Sequence, residues 1–231
     1  MTGGTGTPVT RRFLLVRHAQ AEVNVLADDD LMAGYDPDAD LTPLGREQAR
    51  ALAGHLAGDR ASWPGPAGPG GYRLRTSPLR RAVRTAEALA GALGLTAVSD
   101  ARLAEVRAPR RFPRPLAVRE WDALLEERLR HPEREFAGVE SWAAQRARAR
   151  EFLRECLSGP PAAGFVLVSH AETIQALLME LLDLGDGMLR SARFKVSNTG
   201  VFIVDRTLYG TEEPCSSLVV ANSKSHLART A

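Results

Sequence analysis

The polarity pattern divides the chain into short apolar runs and longer stretches with helical spacing. FLLV at residues 13–16 is an apolar run of the kind a strand needs when both of its faces are covered. LTPLGREQARALAGHLAG follows with Thr42 as a cap, Pro43 at the first helical position and Leu44, Ala51, Leu52 and Leu56 on one stripe, which predicts a helix. YRLRT resumes as a strand. TSPLRRAVRTAEALAGALG then predicts a second helix, opened by Ser77 and Pro78 and stopped at Gly94. Helical stretches are expected from about 116 to 129 and from about 141 to 157. After them come the strand FVLVSH, the helix ETIQALLMELLDL and β-rich segments including VFIVD and SLVVA. Strands alternating with helices predict an α/β fold with a mostly parallel sheet. Residues 1–10 read as a flexible tail, the Pro/Gly-rich 58–71 as a long surface loop, and 11–231 as a single domain.

Composition narrows the choice of partners. The 231 residues are 44% hydrophobic and 25% charged, ordinary globular values, and enough chain to bury a sizeable core. The 30 basic residues nearly balance the 28 acidic ones, so the overall charge gives no reason to expect nucleic acid or a membrane surface as partner. Cys156 and Cys215 lie far apart and form no zinc framework, and a reducing compartment is the simpler reading. The N-terminus lacks the apolar stretch of a signal peptide, and no run approaches the ~18 apolar residues of a membrane span. The expected location is the cytoplasm. No exposed apolar helix face stands out to indicate an oligomeric state.

Two of the strands make the same chemical statement. FLLVRH and FVLVSH each deliver an imidazole, His18 and His170, at a C-terminal strand end, where doubly wound sheets gather their ligands. Between them, YRLRTSPLRRA places arginines just after a third strand, at a helix N-terminus that favours anions. Two imidazoles and at least two guanidiniums around one crevice suit a phosphoryl group: arginine forks bind its oxygens, and a neutral imidazole attacks phosphorus. The leaving alcohol then needs a proton from a carboxylic acid held partly protonated.

Taken in order, LLVRHAQAEVN, LTPLGREQA, TSPLRRAVRTAEAL, RLAEVR, GVESWAAQRARAREFL, VSHAETIQALL and the closing SHL resemble the histidine phosphatase superfamily, in its phosphoglycerate mutase-like, small-molecule phosphatase branch. The resemblance spans nearly the whole chain beyond the first ten residues. It implies a three-layer fold, with a mostly parallel central sheet, helices on both faces and a small cap at about residues 100–140. It also implies hydrolysis of a small phosphorylated metabolite without a metal or other cofactor, through a phosphohistidine on His18. By position, Arg17, Arg81 and His170 would hold the phosphoryl oxygens, together with the backbone amide of Ala171, and Asn24 would contact substrate or phosphate. Glu105 matches the usual proton donor. Glu172, just after the second histidine, is its rival. Ala21 stands where many members carry a hydroxyl, and VRAPRRFPRP follows Glu105 in place of the usual Gly and Trp-Glu-Gly. The mutase E-R-x-Y-G sequence is absent, which favours water over a second alcohol as acceptor; a phosphomutase, or a phosphate-binding relative without activity, are the alternatives.

Other features fit plainer readings. His55 and His131 read as surface groups and His226 as structural. Arg107, Arg110, Arg111 and Arg114 read as a solvated loop, or as a lid offering a cation to a second anionic group of the substrate, with nucleic-acid binding last because the run is short and offers one aromatic, Phe112, for stacking. Asp36, Asp38, Asp40 and Glu47 mimic the spacing of a calcium loop. They fail where Leu41 replaces the required glycine and Pro43 begins a helix. The aspartates at 28–30 and 36–40 are expected in an exposed loop near the mouth of the site, where they would suit a substrate with a positive group.

Overall fold

The computed structural model describes residues 8–58, 71–160, 162–209 and 213–227. Six strands form one sheet: β1 (Val9–Arg17), β3 (Tyr72–Thr76), β4 (Ala97–Ser99), β6 (Gly164–Ser169), β7 (Val201–Leu208) and β8 (Cys215–Ser223). Their spatial order is β4-β3-β6-β1-β7-β8. The first four are mutually parallel, and β7 and β8 continue the sheet antiparallel.

Side chains two apart on a strand share a face, and β1 shows what that does to a continuous apolar run. Phe13 and Leu15 enter a core with Phe152, Ile174 and Leu178, from α4 (Trp142–Ser158) and α5 (Ala171–Leu181). Leu14 and Val16 enter the opposite core with Leu52, Leu56, Ala86 and Leu89, from α1 (Pro43–Gly58) and α2 (Arg80–Leu93). Phe165 and Leu167 on β6 join the first core, Val166 and Val168 the second. Burying each such large side chain stabilises the fold by about 1.5–3 kcal/mol. The arrangement is the expected three layers.

Local signals set most boundaries. Thr42 Oγ1 accepts the Gly45 N–H at the start of α1, Ser141 Oγ accepts the Ala144 N–H at the start of α4, and Gly94 ends α2 at φ 65°. Other expectations need correction. β1 begins at Val9, so residues 9 and 10 are strand and not tail, because Val9 and Thr10 pair with Leu208 and Thr207 on β7. Residues 1–7 and 59–70, which hold the rest of the expected tail and most of the expected loop, lie outside the described residues. α2 begins at Arg80 and not at Ser77, whose hydroxyl is drawn to His170. The third helix, α3, runs Val118–Arg130, because Leu116 and Ala117 form a short strand, β5, paired with β2 (Leu31–Met32).

That pairing makes the cap composite. Residues 28–35 dock on 109–119 through Tyr35 N–H to Pro109 O, Phe112 N–H to Ala33 O and Val118 N–H to Asp30 O. Gly34 is required at the seam: a Cβ there would stand 2.0 Å from the Arg110 carbonyl oxygen. No helix among the described residues is long and apolar enough to cross a membrane.

Candidate active site

β1, β3 and β6 end together, and their C-terminal ends floor a cavity of about 730 Å³ roofed by the cap. Its lining includes Arg17, His18, Asn24, Arg81, Glu105, Ala171 and Glu172. His170 lies behind His18, fully buried, with the two rings 5.0 Å apart. The structure therefore brings together every site residue expected from the sequence, including both candidate acids.

The loop after β1 is held from three sides. The His18 N–H donates to Ser169 O, and the Ala19 N–H donates to Thr85 Oγ1, whose own hydrogen goes to the Arg81 carbonyl. Thr42 Oγ1 donates to Gln20 Oε1, and Gly45 packs so tightly that a Cβ would meet the Gln20 carbonyl oxygen at 1.9 Å. From below, the Thr199 N–H donates to Arg17 O, with Thr199 strained at φ 53° and braced by His226, whose Nε2 lies 2.9 Å from Thr199 Oγ1. His226 is thus structural, as expected.

His18 Nδ1 is 2.8 Å from the Ala19 carbonyl oxygen, which fixes the proton on Nδ1 and leaves the Nε2 lone pair available. Burial, then Arg81 and Arg17, push the His18 pKa well below the ordinary histidine range. Burial, His18 and the same arginines do likewise to His170. Both rings are neutral at pH 7. His170 Nε2 is 2.7 Å from Ser77 Oγ, and that oxygen accepts the Leu79 N–H, which leaves the Ser77 hydrogen free for the ring.

The polar atoms without partners mark what the site lacks. Arg17 Nη1 donates to Val196 O, and Arg81 donates through Nη1 to Asp36 O and through Nη2 to the Tyr35 hydroxyl. Arg17 Nε, Arg81 Nε and His170 Nδ1 are buried with no hydrogen-bond partner among the described residues. Buried unsatisfied donors are costly, and three around one histidine, beside the N-terminus of α5, form a socket for an anion. Asn24 Oδ1 accepts the Ala21 N–H and one hydrogen of Asn198 Nδ2, which leaves the Asn24 NH₂ as its end for the cavity.

The two carboxylates sit in different settings. Glu105 Oε1 accepts the Val106 N–H and, at 3.5 Å, Gln145 Nε2, while Oε2 makes no hydrogen bond among the described residues. Glu172 Oε2 accepts from Arg128 Nη2 at 3.1 Å, yet burial and the neighbouring Glu105 push its pKa up to about 7 against that pull. Arg128 is 0% exposed and also donates to Gln145 Oε1. Arg148 donates to the carbonyls of Arg102, Ala104 and Glu105 and pairs with Glu140, so it shapes the backbone that presents Glu105.

Several of these residues were not singled out from the sequence. Ser77 and Thr85 lie inside a quoted motif and gave a signal, although Ser77 was read as a cap. Tyr35, Arg128 and Asn198 gave none: a lone tyrosine in a loop, one arginine among many on a charged helix, and an asparagine in a turn.

The comparisons agree with this geometry. The family model described as histidine phosphatase superfamily (branch 1) matches residues 13–213. The chain is 35% identical over 223 residues to the 5''-phosphoribostamycin phosphatase of Niallia circulans, covering 95% of this chain and 99% of the relative. It is 32% identical over 201 residues to the bifunctional protein of Mycobacterium tuberculosis, covering 81% of this chain and 48% of that protein. Among solved structures, mycobacterial glucosyl-3-phosphoglycerate phosphatase superposes with a TM-score of 0.70 at 26% identity, over 93% of this chain and 99% of that one. With its two strand-end histidines, its arginine socket and a match along most of its length, the chain belongs to the histidine phosphatase superfamily, branch 1.

Proposed function

We propose that this phosphatase hydrolyses a small phosphorylated metabolite without a metal, through a phosphohistidine on His18. The observation that carries the reading is the trio of partnerless buried nitrogens, Arg17 Nε, Arg81 Nε and His170 Nδ1, around a neutral His18. In this reading His18 Nε2 attacks phosphorus in line with the leaving oxygen. Arg17, Arg81, the Asn24 NH₂ and the Ala171 amide take the equatorial oxygens. Ser77 donates to His170 Nε2, so His170 carries its hydrogen on Nδ1 and offers it to the same group.

Burial and the neighbouring Glu105 raise the Glu172 pKa to about 7, so Glu172 holds a proton beside Glu105 at and below neutral pH. Arg128 ties Glu172 down, whereas Glu105 has an oxygen to spare, so Glu105 passes the proton to the leaving alcohol. In the second step Glu105 takes a proton from water as that water attacks the phosphohistidine, which restores both groups. The proposed setting is cytoplasmic.

The test is phosphate release in EDTA from a panel that includes 5''-phosphoribostamycin, the compound in the name of the 35% identical relative, phosphoserine and p-nitrophenyl phosphate. Turnover is expected in the wild type, with acid-labile phosphate trapped on His18 in a rapid quench. Turnover that survives His18→Ala, or that EDTA abolishes, overturns the reading.

A further inference from the structure

At the floor of the cavity Arg17 and Arg81 supply cations for an anion, with Glu105 and Glu172 beside them. The mouth carries Glu22 after the β1 loop, Asp36 in the cap loop and Asp122 on α3, all exposed. Arg110, the one cation lining the mouth among the described residues, has its Nη1 3.7 Å from Asp38 Oδ2.

Several cap carboxylates that do not line the cavity are matched, Asp29 with Arg119, Asp38 with Arg110, Glu120 with Arg114, Glu126 with Arg193 and Glu127 with Arg130, whereas Asp28, Asp30, Glu133 and Glu135 form no ion pair among the described residues. Glu22, Asp36 and Asp122 form no ion pair among the described residues. Asp122 faces further negative charge, and its pKa is raised by partial burial and by Asp28 and Glu126. An acidic mouth would by itself repel a simple phosphate ester from the arginine socket. It makes sense when the substrate brings cations of its own. Beside Asp122, Trp121 packs with Phe112 and Tyr35, their ring centroids 5.6 and 6.3 Å away, and lines the cavity with an aromatic wall. Such a wall suits the apolar face of a sugar ring and attracts an ammonium group.

We infer that the cavity selects a phosphate monoester bearing ammonium groups at the end away from the phosphate, with Asp122, Asp36 and Glu22 as the residues that recognise them. The inference rests on the reading that the phosphoryl group occupies the Arg17–Arg81 socket. The volume of about 730 Å³ fits a substrate of more than one ring.

The test reads binding, so its failure is separable from that of the proposed reaction. Affinities of His18→Ala protein are measured by calorimetry for glucosamine 6-phosphate and kanamycin 3′-phosphate, each against its N-acetylated form, which keeps the phosphate and loses the ammonium charge. The free amines are expected to bind more tightly, roughly threefold for the single amine and more than tenfold for kanamycin 3′-phosphate. The preference is expected to shrink at 0.5 M NaCl and to collapse in Glu22→Gln/Asp36→Asn/Asp122→Asn protein, whose melting temperature reports that it folds. Equal affinities within both pairs, or a preference that the triple variant retains, would overturn the inference, while turnover of p-nitrophenyl phosphate independently decides the reaction.

Discussion

At the floor of the cavity, Arg81 and His170 are 3% and 0% exposed and each is held by the fold at one end while a buried nitrogen at the other lacks a partner among the described residues; at the mouth, Glu22, Asp36 and Asp122 are exposed with no ion pair among the described residues. The difference follows from the tasks. Charge that develops on a transferring phosphoryl group is best met by donors already fixed and dry, because they need no reorganisation when the reaction occurs. Recognition of a flexible, solvated substrate tolerates looser groups, each worth little alone and effective in numbers.

Substitutions at the two ends should therefore differ by orders of magnitude. His18→Ala removes the proposed nucleophile and should lower kcat on the order of 10⁴-fold or more, measured with p-nitrophenyl phosphate. Arg81→Ala should cost on the order of 10²–10³-fold in kcat/KM. It should also abolish the rise in melting temperature that inorganic phosphate gives the wild type. Arg110→Ala, at the mouth, should change kcat/KM by no more than about twofold, because its side chain is 77% exposed. Comparable losses at Arg81 and Arg110 would erase the distinction between floor and mouth.

The sequence was informative where chemistry follows local pattern. An apolar strand that ends in His18 or His170 announces a crevice residue, because the strand must be buried and its end must emerge at the sheet edge where ligands sit. The layers of the fold were legible for the same reason: Phe13 to Val16 needs cover on both faces. What stayed hidden depends on contacts between distant segments. Arg128 sits in VREWDALLEERLR, where the charges read as a solvated face, and only the docking of α3 against α4 and α5 buries it beside Glu172. Ser77 carried the right signal with the wrong meaning, since a serine ahead of a helix is ordinarily a cap, and here the hydroxyl serves a histidine from β6. The β2–β5 pairing that completes the cap involves only Leu31, Met32, Leu116 and Ala117, too short a run to stand out in pattern.

The acid should show itself in the pH profile. His18 titrates well below the ordinary histidine range, so the acidic limb of kcat/KM lies below pH 6.5. The basic limb lies near 7, where Glu172 loses its proton. Glu172→Gln removes the group that titrates near 7, and the basic limb at that pH should disappear. Glu105→Gln should slow release of an alkyl alcohol by about 10²-fold or more and of p-nitrophenolate far less, because the latter leaves without a proton. If Glu172→Gln instead shows the strong leaving-group dependence, the donor is Glu172.

A modest effect is the sharpest test of how finely the floor is set. Asn198 donates one amide hydrogen to the His18 carbonyl at 3.0 Å and another to Asn24 Oδ1 at 3.1 Å. With the Ala21 N–H also on Asn24 Oδ1, the Asn24 amide has one stable orientation, its NH₂ toward the cavity. Asn198→Asp places a carboxylate against Oδ1, so Asn24 turns over and presents an oxygen to the phosphoryl group. The inhibition constant for inorganic phosphate should rise about tenfold, the equivalent of one neutral hydrogen bond. If Asn198 acts through Asn24, the same substitution in an Asn24→Ala background should change it little, with a coupling of about 1 kcal/mol in the double-mutant cycle. A general loosening of the fold would lower the melting temperature of both proteins alike and leave that coupling near zero. A loss that persists undiminished without Asn24 would place the role of Asn198 at the other end of its amide, on the carbonyl of His18.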